Sequence, residues 1–158
     1  MKEFKPVPDI ASMDPMLSSV SFLGGMTGEQ RKSVYEYLEC ASYRKGEYIT
    51  QHGEEPSHIY IIKSGSIDLI IEDEQVTVTK RTFREGDFFG EAAMLSLINN
   101  TASFRAAEES ELIVFSRKGF NRLRKEDPII FAHLILNLAR ELARKLQFSD
   151  EILLHPKR

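Results

Sequence analysis

Between residues 41 and 116 the chain is a series of short β-prone runs, cut by glycine and acidic turns about every eight to twelve residues. That rhythm leaves few folds open. Runs rich in Ile, Val, Tyr, Phe and Thr predict strands over 48–50, 58–63, 67–71, 76–80, 103–107 and 112–116. Gly53-Glu54-Glu55-Pro56, Ser64-Gly65 and Asp73-Glu74 supply the turns between them. Short strands evenly punctuated by turns predict a sandwich or closed barrel.

The flanks read as helical. Residues 1–16 mix three prolines with charges, show no period, and are expected to form an amino-terminal arm. A short helix is expected over 16–23, stopped by Gly24-Gly25. Thr27 and Gln30 have the spacing of a capping box, which predicts a helix over 28–40 with Val34, Tyr37, Leu38 and Ala41 on one face. Ser116 can cap a helix to about 126, and Asp127-Pro128 starts another to about 148. In that last helix Phe131, Ile135, Leu138 and Leu142 fall at four- and three-residue steps. They either pack on the β-layer or form the seam of a homodimer through 128–148. Arg117, Lys118, Arg122, Arg124, Lys125, Arg140, Arg144 and Lys145 make this end basic, a solvated face by this reading.

The 158 residues suffice for one core, placed at 17–148 with a tail at 149–158. A net charge of −3 gives no reason to expect nucleic acid or an anionic membrane. Cys40 is the lone cysteine, expected as a small packed residue in a reducing compartment. The start lacks the apolar core of a signal peptide. The apolar run 128–139 is too short to span a bilayer, so a soluble, cytoplasmic protein is expected.

Residues 86–106 carry the chemistry. Gly86 and Gly90 bracket two aromatics, and Glu91-Ala92-Ala93-Met94-Leu95 favours a short helix. Its first amides have no intrahelical partner and can meet an anion, while Glu91 can accept hydroxyl protons from a sugar. A returning strand follows a polar loop at Asn99-Asn100-Thr101.

This stretch resembles the phosphate-binding cassette of cyclic nucleotide-binding domains, found in catabolite-activator-type regulators, kinase regulatory subunits and gated channels. Phe89, Gly90, Glu91 and Ala93 match the family's Phe-Gly-Glu-x-Ala, and Ala102, Ser103 and Ala106 align without a gap. The turn glycines Gly46, Gly53, Gly65, Gly86 and Gly90 occur in the family's order, and the likeness covers roughly residues 17–148. The resemblance implies a mainly β fold with flanking helices: a double-stranded β-helix, or jelly-roll-like β-roll, over about 41–116, helices over about 117–148, and helices at the amino terminus. It assigns a ribose 2′-hydroxyl to Glu91. The cyclic phosphate goes to the amides of Ala92 and Ala93, to the cassette arginine and to the hydroxyl after it. Here that pair is Asn100 and Thr101, with Phe89, Gly90 and Ala102 completing the expected site. Charge-assisted hydrogen bonds contribute about 1.5–3 kcal/mol, so Asn100 in place of arginine predicts binding weakened roughly ten- to a hundred-fold.

The expected ligand is therefore weakly bound cyclic AMP or cyclic GMP, or a different small anion. No metal and no other cofactor is expected. The β-roll is shared with metal-dependent cupin enzymes, but His52, His58, His133 and His155 form no ligand pattern and no nucleophile motif is visible, so an enzyme is not expected. Neither a DNA-binding domain nor a membrane partner is expected. Two readings stand. One is a small-molecule sensor signalling through its carboxy-terminal helix to an unidentified protein in trans. The other is a dimerisation or protein-interaction module whose pocket binds no nucleotide.

Overall fold

The computed structural model describes residues 2–155. Two antiparallel sheets form the roll. The first orders its strands β1 (Lys5–Pro6), β2 (Leu38–Tyr43), β9 (Ser110–Ser116), β4 (His58–Ser64), β7 (Phe88–Phe89). The second orders β3 (Tyr48–Thr50), β8 (Ser103–Ala106), β5 (Ile67–Glu72), β6 (Thr77–Phe83). This is the β-roll with flanking helices.

Strands β4 and β9 are buried on both faces, which explains their continuous apolar runs. Tyr60, Ile62, Leu112 and Val114 face a core inside the roll, with Phe83 and Phe89. Ile59, Ile61, Ile113 and Phe115 face a second core beneath the helices. That second core is closed by α1 (Ile10–Leu17), a single 3-10 turn at Ser21–Leu23, α2 (Gly28–Tyr35), α4 (Arg117–Glu126) and α5 (Pro128–Leu154). The remaining helix, α3 (Glu91–Ser96), follows β7. At successive residues along a strand, side chains alternate faces, so each strand of this shared sheet serves two cores at once.

The predicted caps form. Thr27 Oγ1 accepts from the Gln30 amide at 3.2 Å while Gln30 Oε1 accepts from the Thr27 amide at 2.9 Å. Ser116 Oγ accepts from the Gly119 amide at 2.9 Å, and Asp127 Oδ1 from that of Ile130 at 3.1 Å.

Four boundaries differ from expectation. The helix read over 28–40 ends at Tyr35, because residues 38–43 pair with β9 from Leu38↔Phe115 to Tyr43↔Ser110 and bury Leu38, Ala41 and Tyr43. Residues 1–16, read as an arm, supply β1 and most of α1, with Met13 in the helix-side core. The helix expected over 16–23 is instead the end of α1 and the 3-10 turn, and α5 continues past 148 to Leu154. α5 is tied to the 3-10 turn by Asn137, whose Nδ2 donates to Phe22 O at 3.0 Å and Gly24 O at 2.8 Å. No helix among the described residues is long and apolar enough to cross a membrane.

Candidate ligand-binding site

The site begins where β7 meets α3. Gly90 between them has φ +91°, and a Cβ there would lie 2.6 Å from the carbonyl oxygen of His58. Only glycine combines that conformation with so close a backbone approach. The turn leads into α3, which Met94 anchors in the helix-side core.

All eight residues singled out in the sequence line one cavity of about 420 Å³: Phe89, Gly90, Glu91, Ala92, Ala93, Asn100, Thr101 and Ala102. The volume is within the usual range for small-molecule sites. Phe83, Leu69 and Phe104 make the remaining roll-side wall apolar, with Phe89 and Phe104 stacked at 4.2 Å between centroids. The last wall was not foreseen. It is α5, through Leu142, Lys145, Leu146 and Ser149.

That wall explains Glu91. A carboxylate buried without a cation costs several kcal/mol, and the Glu91 side chain is only 4% exposed. Its Oε1 accepts a hydrogen bond from Lys145 Nζ, which also lies 5.2 Å from the Phe88 ring centroid. Lys145 thus belongs to the site and not to the solvated basic face assigned from sequence. Fifty-four positions separate the partners, and no local pattern signals their meeting.

Asn100 is 8% exposed. Its backbone is fixed at both ends: the amide donates to Glu54 O at 2.9 Å and the carbonyl accepts from Gly53 N at 2.7 Å. Its side-chain Nδ2 is buried with no hydrogen-bond partner among the described residues. Leaving such a donor unsatisfied costs about 1–3 kcal/mol. Arg105 does not fill the gap left by the missing arginine. Its guanidinium lies 5.9 Å from the Tyr48 ring, away from the cavity wall.

His58, whose carbonyl meets Gly90, pairs its Nδ1 with Ser57 Oγ at 2.7 Å and packs against Phe4 and Tyr60. Burial holds its imidazole below the ordinary value. Among the described residues, no group of three or more His, Cys, Asp or Glu stands close enough to hold a metal ion.

Comparison with known proteins matches this fold. One crystal structure, a cyclic nucleotide-binding domain from Methylobacillus flagellatus KT, superposes with a TM-score of 0.78 at 20% identity, covering 90% of this chain and 83% of that one. The catabolite activator protein of Thermus thermophilus superposes with a TM-score of 0.75 at 26% identity, covering 84% and 61%. In sequence, the cAMP-dependent protein kinase regulatory subunit of Emericella nidulans is 29% identical over 110 residues, which is 70% of this chain and 26% of that protein. The chain spans about a quarter of the length of the curated relatives it matches first. The sequence model of one family, the cyclic nucleotide-binding domain, matches residues 40–127, more than half of the chain. The chain is a member of the cyclic nucleotide-binding domain family.

Proposed function

We propose that the chain is a ligand-operated regulatory domain: a ribose-bearing ligand of the nucleotide or nucleoside class enters the cavity, donates hydroxyl protons to Glu91, and is sensed by α5. The observation that carries this reading is the hydrogen bond from Lys145 of α5 to buried Glu91. The residue that meets the ligand is already held by the helix that would report it. A ligand competing for Glu91, or bridging Glu91 and Lys145, favours one position of α5 over another, and a population shift needs no more than that. A second protein in trans reads the change. That cAMP-dependent protein kinase regulatory subunits are among the relatives supports such a role.

The test is calorimetric titration with cyclic AMP and cyclic GMP, on the native chain and on Asn100→Arg, with hydrogen exchange followed along α5. Weak binding by the native chain, tightened about ten- to a hundred-fold by the arginine, is expected. Altered exchange in the last turns of α5 should accompany it. No binding by either protein, to these ligands or to their nucleosides, would overturn the reading.

A second role is favoured by a separate observation. The stripe expected to form a homodimer seam faces inward: Leu138 lies in the helix-side core, Phe131 and Ile135 pack against it, and Leu142 lines the cavity. A different stripe is exposed. Ile129, Ala132, Leu136, Ala139, Ala143 and Leu146 repeat at alternating three- and four-residue steps along the outer face of α5. That is the heptad spacing of a coiled-coil seam, with alanines that permit close approach. The occupant that fits it is the same helix of a second copy.

A further inference from the structure

Resting on the reading of this cavity as a ligand site, we infer that it is built for an uncharged nucleoside, a heterocycle on a ribose with no phosphate. The first argument is charge. Glu91 and Lys145 are the charged residues lining the cavity, and each answers the other. A phosphate would set a second anion beside Glu91 with one ammonium to share between them, and like charges in a partly desolvated site are disfavoured. Arg81 lies 4.3 Å over the Phe83 ring but outside the cavity, lining a smaller recess that also holds Asp87 and Glu141. The six-residue α3 offers little more, since Glu91 already stands in its first turn and answers its positive end.

The second argument is the match of donors and acceptors. Lys145 takes Glu91 Oε1, and Oε2 carries no hydrogen bond from the described residues, so the carboxylate can accept from a vicinal diol without losing its lysine. Asn100 Nδ2 is an unpartnered, neutral donor at the position where the family carries arginine. Its complement is a neutral acceptor: a hydroxyl, ring nitrogen or carbonyl oxygen. The stacked Phe89 and Phe104 offer an apolar wall for a planar ring. Hydroxyl donors, a neutral acceptor and a flat ring together describe a nucleoside. Asn100 is then the residue that sets specificity against phosphate.

The experiment titrates adenosine, guanosine, cyclic AMP and cyclic GMP into the native chain and into Asn100→Arg. In the native chain one nucleoside should bind at least about tenfold tighter than the cyclic nucleotide of the same base, with little dependence on salt. Asn100→Arg should reverse the order by strengthening the cyclic nucleotide about ten- to a hundred-fold. A native chain that binds the cyclic nucleotide as tightly as the nucleoside overturns the inference. So does a cyclic nucleotide gained by Asn100→Arg while the native chain binds neither nucleoside, although the cavity would then remain a ligand site. Silence of both proteins toward all four compounds removes the ligand site itself, and the inference with it.

Discussion

Gly90 shows how much of the site rests on single residues. Its φ of +91° and the 2.6 Å approach of the His58 carbonyl leave no room for a side chain. Gly90→Ala should therefore cost about 1–3 kcal/mol in urea unfolding and displace the start of α3. Lys145 and Glu91 offer a second check. Breaking a fully buried ion pair costs about 3–5 kcal/mol. The Lys145 side chain is 37% exposed, so Lys145→Met should cost less, about 1–2 kcal/mol. Adding Glu91→Gln should recover part of that loss in a double-mutant cycle. His58 supplies a pH signature. Its folded value lies below the ordinary 6.5, so between the two the unfolded chain binds more protons. The stability it protects is complete above about pH 6.5 and falls as the solution is acidified through that point. Melting temperatures taken across this range should drop, and His58→Gln should flatten that part of the profile. The carboxylates of Asp14, Glu47, Asp73 and Glu126 are held below their ordinary range by hydrogen bonds, so their contribution is lost only in more acidic solution.

At the scale of elements, what could be read in the sequence was what neighbours in the chain decide. The cassette glycine, the Thr27 and Ser116 caps, the proline start of α5 and most strands follow local rules, and the structure brings the eight singled-out residues around one cavity. The boundary at residues 36–40 obeyed a distant partner instead. Val34, Tyr37, Leu38 and Ala41 have helical spacing, yet β9 claims residues 38–43 as a strand. Pairing along a buried sheet outweighs a few tenths of a kcal/mol of helix propensity per residue. The apolar stripe of α5 was likewise visible as a stripe, but which side faces inward is settled by β9, α4 and the 3-10 turn. Asn137 fixes that orientation through two backbone carbonyls. Asn137→Leu would leave Phe22 O and Gly24 O without this donor, and should lower stability by about 1–3 kcal/mol in chemical denaturation. It should also raise hydrogen exchange along α5 more than in the strands.

The whole molecule is a sandwich of two cores about one shared sheet, with α5 touching the helix-side core, the cavity and the exposed heptad stripe. If that stripe joins two copies, Leu136→Lys should convert a dimer to a monomer in sedimentation velocity without unfolding it, since Leu136 is 48% exposed. An unchanged sedimentation coefficient would remove the second copy from the account. Leu146 belongs to both the stripe and the cavity wall, so assembly and ligand occupancy should affect one another. Dimer dissociation measured with and without adenosine would reveal that linkage.

A strand of two residues, β7, serves both cores. Phe88 and Phe89 are consecutive on β7, so the pleat hangs their rings on opposite sides of the sheet, like the pans of a balance. One pan rests against Phe104 in the roll, and the other lies edge-on to Phe22 beneath the helices with the Lys145 ammonium over it. The peptide between them is the beam, clamped where Tyr60↔Phe89 and Ile61↔Phe88 pair. If a ligand displaces the Phe89 ring, the rigid beam should carry that displacement to Phe88 and the Lys145 ammonium over it, a path only two residues long.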